Sequence, residues 1–319
     1  MQPLRGSLVV DLTRYLPGAF ASAELRRLGA RVVCVEPPNG DPLRAVAPAW
    51  HDALASGKES VVVDLRRDPR LAQRLLERAD VVLESFRPGV AERLGVGPDG
   101  AGERTVYCSI TGFGLGGRHE HRAGHDLNYL GWAGVLADTA PALPPVQVAD
   151  LAAGALEAVT QVLAALLERE RTGRGARLVV SMTHSSHRLA AHRLGGEPVP
   201  RLLTGGLACY RIYATADGRY LTVAALEPKF FRRLCELLDR PELAERQYDA
   251  DQEALAAELA ALLAARPLAS WLERFDGEDV CVGPVATLVE AATDLGTPPP
   301  GRAPAVGEHT AAWAAELGL

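Results

Sequence analysis

Two carboxylates of the sequence stand at the start of predicted helices, where a charged side chain can do chemistry. Asp150 precedes a long apolar helical pattern, and Glu227 stands just before Pro228, a residue type favoured at the first helical position. A helix N-terminus stabilises an ionised carboxylate and presents free N–H groups to an anionic intermediate. An aspartate is also a common helix cap. Spacing alone favours the cap for Asp150 and a surface position for Glu227, and leaves catalysis open for both.

Histidines are frequent in the middle of the chain, and imidazole is a common metal ligand. Their spacing matches no zinc pattern, and the sequence has no CxxC or HExxH motif. We therefore predict no metal site. Apart from His125, which is considered below, the histidines of this region are expected to be solvated loop residues: His119, His121, His184 and His187.

Arg87 is the strongest candidate for binding a phosphate. It lies in Phe86-Arg87-Pro88-Gly89, directly after a predicted strand, and therefore at the carboxyl edge of a parallel sheet. Ligands of open α/β sheets bind at that edge. A phosphate contact and a solvated arginine are equally compatible with this position, and Arg44 and Lys58 are weaker candidates for the same role.

The glycine-rich run Thr111–Gly117 contains a GxGxxG pattern after a predicted strand. The polar Arg118-His119-Glu120-His121 follows it, however, and the first βα turn, Leu16-Pro17-Gly18, lacks the dinucleotide fingerprint. We therefore predict a structural turn here and no nicotinamide cofactor, although Glu36 ends the second strand where a ribose-binding acid would lie.

Strand and helix patterns alternate over the first half of the chain, which predicts an α/β domain with a mostly parallel sheet. The predicted strands cover residues 8–12, 31–35, 60–65, 80–83, 105–110 and 177–182. The predicted helices cover residues 19–28, 69–79 and 150 to about 172.

The second half of the sequence indicates a smaller α+β domain. Residues 184–204 show little periodicity, and Asp217-Gly218 between two apolar runs predicts a hairpin. Helical patterns follow at 229–238, 252–265, 268–275 and 310–317. We divide the chain into a large α/β domain 1–186, a linker 187–204, a small domain 205–290, and a return segment 291–319 that packs on the large domain.

Composition limits the classes of protein to which this chain can belong. Hydrophobic residues make up 48% of the 319 and charged residues 23%, as in a soluble globular chain. A net charge of −6 predicts no general attraction to nucleic acid or to an anionic membrane. No uninterrupted apolar stretch reaches the length of about 18 residues that a membrane span needs. The five scattered cysteines are typical of free thiols, and we predict a cytoplasmic protein.

Several segments, taken in order, resemble the family III CoA-transferases over nearly the whole chain. They are VVDLTRYLPGAFASAELRRLGARVVCVEPPNGDPLR, ADVVLESFRPGVAERLGVG, YCSITGFGLGG, VADLAAGALEAVTQVLAALLERERTGRG and GEHTAAWAAELGL. The resemblance implies a Rossmann-like large domain and a small domain in an interlocked homodimer. It also implies a CoA thioester substrate and no metal or redox cofactor.

Two shorter motifs, GHDLNYL at 124–130 and ALEPKFF at 225–231, resemble the α-methylacyl-CoA racemase branch. By position, the resemblance makes His125 and Asp150 an acid/base pair, with Glu227 supporting the histidine. Arg87 becomes a CoA contact, and Tyr129, Arg44 and Lys58 complete the predicted CoA-binding set. The chain differs from the family by being shorter after Met182 and between Glu290 and Ala305, and by its unusual Thr183–Arg193 stretch.

The function implied is inversion of the α-carbon of a 2-methylacyl-CoA, with His125 and Asp150 on opposite faces of that carbon. The enolate oxygen would be held by N–H groups at the start of the Asp150 helix. A second interpretation is CoA transfer, with Asp150 as a nucleophile that forms a mixed anhydride and then an aspartyl-CoA thioester. A third is a CoA-binding homologue without activity.

Overall fold

The alternating patterns of the first half of the chain form a six-stranded parallel sheet with strand order β3-β2-β1-β4-β5-β6. The computed structural model describes residues 1–199 and 201–319. The strands are β1 (Leu8–Asp11), β2 (Arg31–Glu36), β3 (Glu59–Val62), β4 (Val81–Glu84), β5 (Val106–Thr111) and β6 (Ala176–Ser181). This is the doubly wound Rossmann order, so the predicted fold class is confirmed.

Helices cover both faces of this sheet because its parallel strands are apolar on both sides. They are α1 (Tyr15–Arg27), α2 (Leu43–Val46), α3 (Pro48–Ala55), α4 (Arg70–Arg78), α5 (Val90–Arg93), α6 (Asp126–Trp132), α7 (Glu157–Thr172) and α8 (Met182–Ala190). Helix α1 begins at Tyr15 rather than at the predicted Ala19, because Pro17 falls in the first turn, where no N–H partner is required.

A π-helical segment, Ala149–Leu156, runs directly into α7. Together they form a 24-residue helix that is apolar enough by composition to cross a membrane, as core helices of soluble proteins also are. Ala155, Ala158 and Val162 are fully buried in the core on one face of the sheet. We attribute the apolar composition to this packing.

The second half of the chain forms a smaller α+β unit around an antiparallel sheet of order β7-β8-β9. Its strands are β7 (Tyr210–Ala214), β8 (Tyr220–Ala224) and β9 (Val282–Pro284), and its helices are α9 (Pro228–Leu237), α10 (Gln252–Leu263), α11 (Leu268–Phe275) and α12 (Leu288–Asp294). The predicted hairpin is confirmed, since β7 and β8 pair across Asp217-Gly218. Gly218 adopts a φ of 72°, which glycine tolerates without strain.

The stretch of low periodicity that begins at residue 184 is helical over its first part. Residues 182–190 form α8, whose first turn is capped by the Ser181 hydroxyl accepting from the His184 N–H at 3.3 Å. Buried Met182 and Ser186 fix this helix in the larger unit. The polar, histidine-rich sequence hides the helical period because only one narrow face is buried.

The chain divides into one unit of Met1–His192 with Pro299–Leu319, and another of Arg193–Pro298. Helix α12 belongs to the second unit, where Glu290 pairs with Arg219 of the hairpin at 2.9 Å. The C-terminal helix α13 (Thr310–Leu317) belongs to the first, beside β3 and α4. Trp313 is its buried anchor, and the indole N–H donates to Glu59 Oε2 at 2.6 Å.

Candidate functional site

A cleft of about 620 Å³ lies in the larger unit at the carboxyl ends of β1, β4 and β5. The strand order reverses between β1 and β4, which is where open α/β sheets bind their ligands. The volume is within the usual range of ligand pockets. Four of the residues selected from the sequence line this cleft: Arg87, His125, Tyr129 and Asp150.

Asp150 projects from the π-helical segment, a rare element that often marks a functional site. Helical structure begins before it, with Val148 in the cap position, so the interpretation of Asp150 as a cap is wrong. Gly154 allows the close approach of this segment to α8, because a Cβ there would lie 2.9 Å from Met182 Cγ. Nothing in the sequence periodicity predicts a π-helix.

The Asp150 carboxyl is half-buried, and its charge is disfavoured. Burial, together with the neighbouring Asp126 carboxylate, raises the pKa of Asp150 to about 7. The Asp150 N–H donates to Asp126 Oδ1 at 2.9 Å. The N–H of Leu151 donates to Gln147 O at 2.9 Å. These two N–H groups are therefore engaged within the protein, which corrects the expectation that they hold an enolate oxygen.

His125 occupies the cap position of α6, immediately before Asp126. Its backbone is fixed by the His125 N–H, which donates to Asn128 Oδ1 at 3.0 Å. The imidazole is solvent-exposed and lines the cleft. This arrangement leaves a titratable ring on a defined backbone, as a proton-transfer residue requires.

Tyr129 is held between two glycines at the floor of the cleft. A Cβ at Gly112 would lie 2.5 Å from the Tyr129 ring and one at Gly124 would lie 2.7 Å from it. The phenol donates to the Gly124 carbonyl at 2.5 Å. Burial and the Asp150 carboxylate raise the pKa of Tyr129, whereas Arg87 lowers it, so the three side chains share one electrostatic environment.

Arg44 and Lys58 are not brought into this cleft. Arg44 makes a two-pronged ion pair with buried Glu36, with both N···O distances at 2.7 Å. Lys58 is buried and donates to the Ala19 carbonyl at 2.8 Å and the Ser22 hydroxyl at 2.7 Å. Both line a second, small cavity beside β1 and β2, which shares Arg14 with the cleft. Arg44 is thus paired with a carboxylate and Lys58 donates to neutral oxygens, and a position after a strand predicts neither arrangement.

Glu227 lies in the smaller unit, exposed at the cap position of α9. Its predicted role beside His125 stays a prediction.

The histidines set aside as solvated loop residues differ from one another. His184 and His187 are exposed but lie on α8, so their loop assignment is wrong. His119 is half-buried, with its ring centroid 4.3 Å from that of Trp132. Among residues 1–199 and 201–319, no three His, Cys, Asp or Glu side chains are grouped to hold a metal.

Replacing Asp150 by asparagine is expected to stabilise the protein at high pH only. At about pH 3 the carboxyl is protonated in both the folded and the unfolded state, whereas at pH 8 the folded state must ionise a half-buried group that the unfolded chain ionises freely. We expect Asp150→Asn to raise the free energy of unfolding by about 1 to 3 kcal/mol at pH 8 and by almost nothing at about pH 3. Urea titrations at both pH values measure this difference.

Exposed Asp99 provides the matched control, since Asp99→Asn removes a carboxylate that only contacts Arg177 at the surface. An equal effect of Asp150→Asn at the two pH values would contradict the raised pKa.

Similarity to known proteins over most of the chain is consistent with a ligand-binding cleft at this position. Residues 4–309 match CoA-transferase family III. The chain belongs to that family. An alpha-methylacyl-CoA racemase of Mus musculus is 35% identical over 308 residues, which are 90% of this chain and 79% of the relative. A succinyl-CoA:glutarate CoA-transferase of Mus musculus is 32% identical over 320 residues, 90% of this chain and 73% of the relative.

A solved structure of a CAIB/BAIF family protein from Brucella suis superposes with a TM-score of 0.85 at 29% identity, covering 99% of each chain. Family III thus contains relatives of both reaction types at comparable similarity to this chain. Membership of the family establishes that the chain belongs to an enzyme superfamily but does not decide between the two reactions. That choice depends on the residues of the cleft.

Three cleft features of this family III chain were missed from its sequence. Asp126 connects the His125 and Asp150 segments, and Arg14 and Tyr15 follow β1 at the point where the strand order reverses. The argument that selected Arg87 after β4 applies equally to the residues after β1. Tyr15 also has a φ of 65°, a left-handed conformation that is costly for a non-glycine residue.

Proposed function

We propose that this protein inverts the α-carbon of a 2-methylacyl-CoA thioester by 1,1-proton transfer between His125 and Asp150. The proposal rests on one observation. The two titratable side chains line the same cleft, and the segments that carry them are joined by the hydrogen bond from the Asp150 N–H to Asp126. The similarity to racemases supports it.

The chemistry asked of the two residues follows from the thioester. Its carbonyl acidifies the α-hydrogen because the carbanion delocalises onto the oxygen. Inversion needs a base on one face of the carbon and an acid on the other. A pKa of about 7 suits Asp150 for both tasks, since its proton can be taken and returned near neutral pH.

The bound CoA would use the open, basic side of the cleft. Arg87 and Arg122 lie in its lining and can contact phosphate or pantetheine oxygens. Neither a metal nor a redox cofactor takes part in the proposed reaction. We further propose that the active form is a cytoplasmic homodimer, in which Glu227 tunes the protonation of His125.

The test is isotope exchange and inversion on single enantiomers of a 2-methylacyl-CoA in deuterated water. We expect each enantiomer to acquire one deuterium at the α-carbon and to yield the mixture of both. Absence of exchange over a panel of branched acyl-CoA thioesters would sink the proposal.

A second candidate is CoA transfer through Asp150, favoured by the similarity to the succinyl-CoA:glutarate CoA-transferase. A nucleophilic carboxylate must be ionised, and the raised pKa of Asp150 works against that at neutral pH. Hydroxylamine that modifies Asp150 only in the presence of acyl-CoA would favour transfer. Binding of CoA with neither exchange nor trapping would identify an inactive homologue.

A further inference from the structure

Asp126 connects the two segments that carry the proposed acid/base pair. It is the first residue of α6, immediately after His125, and is half-buried. Its Oδ1 accepts the Asp150 N–H at 2.9 Å, from the first turn of the π-helical segment. The two residues are 24 positions apart in the sequence. The bond therefore joins the first turns of two helical segments that are separate in the chain.

We propose that Asp126 is a positioning residue for Asp150: its carboxylate ties the π-helical segment to the start of α6 and so sets where the Asp150 carboxyl stands relative to His125. This inference rests on the proposed function. Catalysis by proton transfer depends steeply on such placement, because a displacement of about 1 Å can cost about 100-fold in rate.

The charge of Asp126 has a separate consequence. An asparagine would accept the same N–H bond, so the bond alone does not require a carboxylate. The negative charge of Asp126 adds to burial in raising the pKa of Asp150. It thereby keeps a proton on Asp150 near neutral pH, where the residue must both accept and donate one.

Other titratable groups lie in the cleft lining or on the helices packed against the π-helical segment. Those in the cleft lining are Arg14, Arg87, Glu120, Arg122, His125 and Tyr129. The helices packed against the π-helical segment carry Glu24 on α1, Glu157 on α7, and His184 and His187 on α8. After burial, the charge of Asp126 is what raises the pKa of Asp150.

Two substitutions separate the bond from the charge. Asp126→Asn keeps an acceptor and removes the charge, so the pKa of Asp150 should fall by about one unit while kcat at the optimum changes less than about 5-fold. Asp126→Ala removes both, so kcat should fall by about 10- to 100-fold with a smaller change in KM. Asp99→Asn is the control, since it removes a surface carboxylate of the same unit and should change neither quantity.

The readouts are the pH profile of inversion and the titration of the Asp150 carboxyl by ¹³C NMR, assigned with Asp150→Asn. The NMR titration needs no activity, so it tests the charge effect even if the wild-type protein fails to invert, an outcome that would overturn the proposed function alone. An Asp150 titration in Asp126→Asn that coincides with the wild type would overturn the charge effect. Wild-type kcat in a folded Asp126→Ala variant would overturn the positioning role.

Discussion

Asp150→Asn is expected to lower inversion by about 10²- to 10⁴-fold while α-proton exchange continues in one enantiomer only. Each of the two residues serves one face of the α-carbon, so loss of one base leaves the other able to remove and return a proton on its own face. The enantiomer whose α-hydrogen points to that face can then exchange its proton without being inverted. His125→Ala should show the same loss of inversion, with exchange retained in the opposite enantiomer.

This result is measured by incubating each enantiomer in deuterated water, with mass spectrometry for exchange and chiral separation for inversion. His121→Ala is the matched control, because His121 is exposed in the same loop and is not part of the cleft lining. If the two variants retain α-proton exchange in opposite enantiomers, the result would also argue against CoA transfer, because that reaction requires no α-proton chemistry. If both variants exchange both enantiomers as the wild type does, the acid/base assignment is lost.

Trp313→Ala is expected to lower the free energy of unfolding of the larger unit by about 3 to 5 kcal/mol. The ring is only 1% exposed and belongs to the core on the second face of the sheet. Its N–H bond to Glu59 would be lost, and the Arg31 guanidinium, 4.0 Å from the ring centroid, would lose its stacking partner. Helix α13 would keep Leu317, the Val62 N–H bond to Thr310 Oγ1 and the Glu316–Arg78 ion pair as its contacts with β3 and α4.

Urea denaturation followed by circular dichroism measures this loss. Trp50→Ala is the matched control, since that tryptophan is 56% exposed and its removal should cost well under 1 kcal/mol. Trp313→Phe keeps most of the apolar volume but not the N–H donor, and should fall between the two. Equal destabilisation by Trp313→Ala and Trp50→Ala would contradict the structural role of α13.

The fold was largely predictable because its signals are local. A parallel strand buried on both faces needs a short apolar run, and a hairpin needs residues such as Asp217-Gly218 that adopt its turn. The position of Arg87 followed from the same logic, since a residue directly after a parallel strand stands at the ligand-binding edge. Helix α8 was not predicted, because its buried face is too narrow to give a clear helical period in the sequence.

By itself, the sequence determined the mostly parallel sheet of the larger unit and the smaller α+β unit, whereas the candidate pair His125 and Asp150 came from the family resemblance. The tertiary structure decided which groups contact each charged side chain. It placed Arg44 in an ion pair with Glu36, Lys58 against the Ser22 hydroxyl, and Asp126 against Asp150. Residue types and periodicity report on neighbours within a few positions. The electrostatic environment of a side chain depends on groups many residues away, and only folding brings those groups together.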